Sequence, residues 1–215
     1  MKKLKTMEDV YKIEKFVTDE ELRYIYETIG NIPDVDREKS IVNIGVYKGA
    51  SVACILLAMK EFGITGGLHI VDVFKYSEAN VHPTAIPLRE RKDVDWSASF
   101  MQEAIDIVNE FREDQKVGLY RCFSDDVKLE EIGEISTIFI DGDHTVHACL
   151  LDLLKYSQML IPGGKILLHD STWDTVMKAI KQFLLLRQDF DYSQETIDSI
   201  LTLTKRREEE CLMTG

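Results

Sequence analysis

Five short apolar runs rich in β-branched residues punctuate the chain: IVNIGV (41–46), GLHIVDVF (67–74), KVGLYRCF (116–123), ISTIFID (135–141) and GKILLHD (164–170). Runs of this kind suit strands buried on both faces, as in a parallel sheet. Between them the apolar period lengthens to that of a helix. Val52, Ile55, Leu56 and Met59 share a face over 51–62, and Val146, Cys149, Leu150, Leu153, Leu154 and Leu160 share one over 145–160. The second helix is expected to stop at Ile161-Pro162-Gly163-Gly164. Residues 173–187 and 96–113 are helical in period too, and a helical stretch spans about 7–30, ahead of Pro33-Asp34. Segment 189–206 alternates, with polar residues near its middle, and predicts a β-hairpin. Residues 75–95 lack periodicity and hold two of the four prolines, which predicts an ordered lid or long loop. Strand–helix alternation closed by a hairpin defines an α/β fold, a doubly wound, mostly parallel sheet with an antiparallel edge. Ligands in such folds bind at the carboxyl ends of the strands.

Composition narrows the function. With 26 Lys+Arg against 38 Asp+Glu, the 215-residue chain carries a net charge of −12. That balance argues against nucleic acid as a partner, since phosphate backbones need clustered positive charge. The longest basic run, Lys205-Arg206-Arg207, is answered at once by Glu208-Glu209-Glu210. Four cysteines (Cys54, Cys122, Cys149, Cys211) show no metal-ligand spacing, and three sit in apolar runs. They predict a reducing, cytoplasmic setting. The N-terminal MKKLKTMEDVYK has no apolar core of a secretory signal, and no run approaches the roughly 20 apolar residues of a membrane span.

The candidate chemistry lies where strands stop. After the first strand, Asn43-Ile44-Gly45-Val46-Tyr47-Lys48-Gly49-Ala50-Ser51 is a glycine turn leading into a helix, open to close ligand approach. Asp72 ends the second strand, 27 residues beyond Gly45, where an acid can accept ribose hydroxyls. The run IFIDGDHTVH (138–147) ends in two carboxylates and two histidines, and KILLHDS (165–171) ends in His169-Asp170. A right-handed crossover sets these two strand ends side by side, about 4.8 Å apart. Asp141, His169 and Asp170 are then expected to converge with a spacing that suits a divalent cation, the alternative being a set of helix caps and strand-end polar groups. Three of the five histidines, His144, His147 and His169, fall in this 26-residue window. His144 is placed to serve as general base. Asp143 is expected to cap the following helix, and His147 to be structural or exposed. Trp96, Trp173, Phe100 and Tyr76 read as core or staple residues, Arg89–Asp93 as a solvated lid face, and His82 as a loop-shaping residue. His69 is expected to point from its strand toward a covering helix.

Taken in order, NIGVYKGAS, VDVF and IFIDGDHTVHACLLDLLKYSQMLIPGGKILLHDS resemble the class I S-adenosylmethionine-dependent methyltransferases. The likeness covers roughly 38–205. Within the class it is similar to the small-molecule branch that includes macrolide-sugar O-methyltransferases and cephalosporin-tailoring relatives. The resemblance implies a seven-stranded Rossmann-like sheet and S-adenosyl-L-methionine as cofactor. It places Gly45 and Gly49 by the methionine moiety, with the rest of the Asn43–Ser51 turn, Tyr47 included, around it. It also places Asp72 on the ribose, and Ser124 and Asp125 by the adenine. Asp141, His169 and Asp170 match positions that hold Mg2+ in metal-dependent relatives, and His144 matches a proposed base. The chain departs from the pattern twice. Asn43 stands where an acid usually opens the first motif, and His169-Asp170 stands where Glu-Asp is common; imidazole favours softer divalent ions over Mg2+.

The expected protein is thus a methyltransferase of a small-molecule acceptor, most simply at oxygen. Residues 1–37 form a helical extension and 38–215 the catalytic domain, with a possible homodimer through the N-terminal helix. Two rivals are a metal-dependent hydroxylase or hydrolase on the same scaffold, favoured by Asn43, and a non-catalytic binding protein.

Overall fold

A computed structural model describes residues 5–75, 100–193 and 196–207. The expected lid at 75–95, Tyr76, His82, Arg89–Asp93, Trp96 and Cys211 lie almost wholly outside these residues. Seven strands form one sheet: β1 (Ser40–Ile44), β2 (Leu68–Asp72), β3 (Val117–Arg121), β4 (Ile135–Ile140), β5 (Leu160–Leu168), β6 (Phe190–Tyr192) and β7 (Leu201–Lys205). Their spatial order is β3-β2-β1-β4-β5-β7-β6. β1 to β5 pair parallel, whereas β7 runs antiparallel between β5 and β6. The chain reverses its direction of winding between β1 and β4, which opens a crevice at their carboxyl ends. β1 and β4 are buried along their whole length, as their unbroken apolar runs require.

Two hydrophobic cores flank the sheet. On one face lie α1 (Met7–Tyr11), α2 (Asp19–Gly30), α3 (Ala50–Glu61) and α4 (Met101–Phe111). On the other lie α5 (Val146–Tyr156) and α6 (Asp174–Leu186). α3 is apolar all round and buried from Ala50 to Met59, because it sits between the sheet and α2. The buried thiol of Cys54 in α3 donates to the carbonyl of Leu22 in α2. Cys54, Cys122 and Cys149 are free. Among the described residues no helix is long and apolar enough to cross a membrane.

Three expectations are corrected. The N-terminal helical stretch is two helices, broken over 12–18. Its second part starts at Thr18, whose hydroxyl accepts from Glu21 N while the Glu21 carboxylate accepts from Thr18 N, a reciprocal cap. Pro162-Gly163-Gly164 is not a loop after the helix but lies inside β5. There Ile135 pairs with Leu160 and Thr137 with Lys165, so the extra residues bulge out with Gly163 at φ 82°. α5 accordingly ends at Tyr156. His69 does not meet a covering helix: it stacks on Tyr120 of the neighbouring strand and bonds its hydroxyl at 3.1 Å.

Packing sets the stability of this frame. Phe183, fully buried between α6 and the sheet, is expected to cost about 3–5 kcal/mol when replaced by alanine. Leu185, two residues on and 78% exposed, should cost less than about 0.5 kcal/mol, and paired urea melts of the two variants check both values.

Candidate active site

The glycine turn is built for close approach. Gly45 has φ 77° and its N–H donates to Val71 O, while an added Cβ would lie 1.9 Å from the carbonyl oxygen of Asp141. The β1 turn and the β4 end are thus in backbone contact, and only glycine fits between them. Tyr47 (φ 50°) and Gly49 (φ 94°) take the left-handed conformation in the same turn, and Gly49 leads into α3. Asn43 lies beneath, fully buried. Its Nδ2 donates to Ser51 Oγ at 3.0 Å, and its Oδ1 has no hydrogen-bond partner among the described residues. Asp72 closes the turn from the side: its carboxylate accepts from Val46 N at 2.6 Å, Tyr47 N at 3.3 Å and Phe74 N at 2.6 Å. Burial lifts its pKa above the ordinary carboxylate range, although these three N–H bonds favour the anion. In this state Asp72 spends its oxygens shaping the glycine turn.

Ser124 and Asp125 form a short 3-10 turn after β3, clasped by α5. The Ser124 hydroxyl donates to the buried carboxyl group of Asp152. Lys155 Nζ donates to the carbonyls of Ser124, Asp125 and Val127, and Tyr156 OH donates to that of Ser124. Burial pushes Asp152 up to about 7, with the Ser124 bond working against the shift. Its second oxygen lies 3.4 Å from where a Cβ on Gly142 would stand, so one side chain links the β3 turn to the β4 end.

Asp141, His144, His169 and Asp170 converge as the two strand ends predict. Each offers a ligand atom, and all four atoms lie within 4.8 Å of one another. His169 Nδ1 stands 3.0 Å from Asp141 Oδ1 and 3.2 Å from Asp170 Oδ2. His144 Nε2 stands 3.1 Å from Asp170 Oδ2 and 3.6 Å from Asp141 Oδ1, an ion-pair contact without hydrogen-bond alignment. Asp170 holds φ 52°, and its N–H meets Ser199 Oγ in the β6–β7 turn. Burial works against every charge here, but the mutual pairing outweighs it. Asp141 and Asp170 are held below the usual carboxylate range by His169 and His144, His144 is lifted to about 9, and His169 is raised further. The Trp173 ring lies 4.7 Å from the His144 ring, beside the cluster rather than only in the core.

Two polar residues of this region escape sequence reasoning. Glu21, from α2, is 1% exposed and meets His169 Nε2 at 3.2 Å with the same oxygen that caps the helix. Its other oxygen accepts from Ser199 N at 3.0 Å and Ser199 Oγ at 2.6 Å. Burial would raise its pKa, yet these bonds hold it at about 2. The Thr18-x-x-Glu21 spacing marks a helix start but carries no sign of this contact. Asp152 is the other, an acid on an otherwise apolar helix face. The cap of α5 is also corrected: Thr145 accepts from Ala148 N, and Asp143 instead accepts from Thr145 N. His147 is exposed.

The sequence profile of the methyltransferase domain family matches residues 42–171. Three solved structures share the fold. The O-methyltransferase NovP aligns with a TM-score of 0.72 at 12% identity, over 90% of this chain and 82% of its own. An O-methyltransferase from Bacillus cereus in complex with SAH gives 0.61 at 14%, over 94% and 92%. An rRNA methylase from Streptococcus thermophilus gives 0.55 at 12%, over 90% and 100%. No curated protein sequence matches the chain. The protein belongs to the methyltransferase domain family and is a class I S-adenosylmethionine-dependent methyltransferase, with the mixed seven-stranded sheet of that class.

Two outcomes test the geometry. Gly45→Ala, which forces a Cβ into the Asp141 carbonyl at a left-handed φ, is expected to lose about 3 kcal/mol or more in urea melts, together with cofactor affinity in calorimetry. Asp152 has a folded pKa near 7 against about 3.9 unfolded. Its folded state therefore holds the proton more tightly, and stability falls as pH rises between these values. Asp152→Asn removes that cost, so the variant should exceed the wild type by roughly 2–4 kcal/mol at pH 8, with the gap closing below pH 4 in denaturant melts.

Proposed function

We propose that the protein methylates a hydroxyl oxygen of a small molecule, assisted by a divalent cation. The observation that carries this reading is the contact between the glycine turn and the Asp141–His144–His169–Asp170 cluster, which sets a methyl-donor pocket beside a base and a ligand set. The residues fit both groups. Gly45 brings the turn backbone against Asp141, Gly49 lets α3 start beside Ile107, Asp72 braces the turn through Val46 and Tyr47, and Ser124 and Asp125 follow β3. Asp141, Asp170 and the His169 imidazole, whose ligand atoms lie within 4.8 Å of one another, would hold a divalent cation and leave His144 beside it as the base. Mixed imidazole and carboxylate donors favour Mn2+, Fe2+ or Co2+ over Mg2+.

When bound, S-adenosylmethionine would supply a sulfonium methyl group: the acceptor oxygen forms a bond to the methyl carbon as the C–S bond breaks, its electron pair leaving with the thioether sulfur. A cation held by Asp141, His169 and Asp170 would supply Lewis acidity toward that oxygen. Asp141 and Asp170 hold the acceptor side in register with the Gly45 turn, and alignment of the reacting atoms contributes much of the acceleration. His144 takes the hydroxyl proton. With both carboxylates unshared it holds a proton up to about pH 9; once their charge is taken up, the imidazole falls back toward 6.5 and becomes a competent base. Trp173 limits water on the outer side of that ring.

A small acceptor is favoured by the net charge of −12 and by a site whose fixed charges are largely anionic, both unfavourable to the phosphates of RNA. The O-methyltransferases NovP and that of Bacillus cereus point the same way. In this reading residues 38–215 carry the transfer chemistry, while 1–37 close the site through Glu21. The free thiols fit a reducing cytoplasm.

The deciding measurement is calorimetric titration of metal-stripped protein with S-adenosylmethionine, with and without Mn2+. Micromolar affinity is expected, reduced at least tenfold in Asp72→Ala. With an acceptor in hand, His144→Ala should lower turnover by about 10²-fold or more. Absence of cofactor binding in every condition would sink the reading and leave a metal-dependent hydrolase, hydroxylase or binding protein to explain the cluster.

A further inference from the structure

His169 faces two ways. Its Nδ1 points at Asp141 and Asp170, and its Nε2 points at Glu21, which α2 delivers from outside the region matched by the family profile. The Glu21 carboxylate is 1% exposed and is fixed at both oxygens: Thr18 N and His169 on one, Ser199 N and Oγ on the other. Every partner of this carboxylate other than the imidazole is a donor anchored in backbone or turn, so Glu21 has no freedom to follow His169; the ring must orient to it. A carboxylate that accepts the Nε2 proton leaves Nδ1 as the atom available for coordination and raises its basicity.

We propose that Glu21 is the positioning residue that makes His169 a cation ligand through Nδ1, and so tunes the cluster toward Mn2+-like ions over Mg2+. This inference rests on the cation reading of the site. Glu21 touches no reacting group; it acts through the imidazole. The N-terminal helix becomes part of the metal chemistry, coupled to the β6–β7 turn through Ser199 and through the Thr18 hydroxyl, which donates to Asp198 at 2.6 Å.

The test is Mn2+ affinity, by calorimetry on the metal-stripped full chain, in a double-mutant cycle of Glu21→Gln and His169→Ala. Tyr24→Phe provides the control: it removes the α2–β7 bond from Tyr24 OH to Thr202 Oγ1 without touching the site. Glu21→Gln should lower Mn2+ affinity 10–100-fold in the wild-type background. In His169→Ala it should change affinity less than about twofold, and Tyr24→Phe should lower Tm while leaving affinity intact. The Mn2+ over Mg2+ preference should narrow in Glu21→Gln. Where Glu21→Gln fails to fold, Glu21→Asp serves, since it keeps the charge while drawing the oxygen shared by Nε2 and Thr18 N back from the imidazole. An equal loss in both backgrounds, or a matching loss in Tyr24→Phe, would overturn the proposal and leave Glu21 a purely structural acid. No Mn2+ binding by the wild type would refute the cation reading itself, at the first titration and before any variant is made.

Discussion

Three carboxylates and two imidazoles share one volume, with Glu21 and His169 buried and the others half-buried, and they coexist because each negative charge faces a proton or a donor. Buried charge of this density is costly unless it is answered within hydrogen-bond distance. The answer comes from four separate parts of the chain. β4 brings Asp141, the turn after it brings His144, β5 brings His169 and Asp170, and α2 with the β6–β7 turn brings Glu21 and Ser199. The sheet order follows the same demand, since β4, β5 and β7 must be neighbours for these groups to meet. Removing His169 would strand the Glu21 carboxylate, which is 1% exposed.

The outline of this arrangement was legible in the sequence because it depends on local pattern. Unbroken apolar runs gave the strands, helical period gave α3, α5 and α6, and strand-end acids and histidines gave Asp141, His144, His169 and Asp170. Crossover handedness does the rest, placing consecutive parallel strands side by side without any knowledge of side chains. Pro162-Gly163-Gly164 misled because proline and glycine mark a bulge as readily as a helix stop, and only pairing to β4 decides between them. Glu21 was hidden for a different reason. It stands 148 residues from His169 and 178 from Ser199, and nothing in a capping motif tells which face of the helix will be covered. Asp152 carries the same lesson, since a lone acid on an apolar face looks like a solvated position until Ser124 is brought against it.

The β1 side of the crevice uses a different economy. It contains few free polar groups: Asp72 is committed to the backbone of the turn, Asn43 to Ser51, and Asp152 to Ser124. The walls are therefore stiff before any ligand arrives, and Asp72 in particular must share its oxygens between the turn and whatever it binds. Rigid positioning of this kind lowers the ordering cost of binding. The Gly45–Asp141 approach carries that stiffness across to the acid cluster, so the two halves cannot shift independently.

The clasp between α2 and the β6–β7 turn has a temporal meaning. Glu21 is made 178 residues before Ser199, so for a time the nascent chain holds an ionisable side chain whose partners do not yet exist. During that interval the early helix has nothing to bury Glu21 against. The β6–β7 hairpin acts as the latch: its Ser199 takes one oxygen of the acid, so Glu21 is fully enclosed only once that hairpin folds back onto α2.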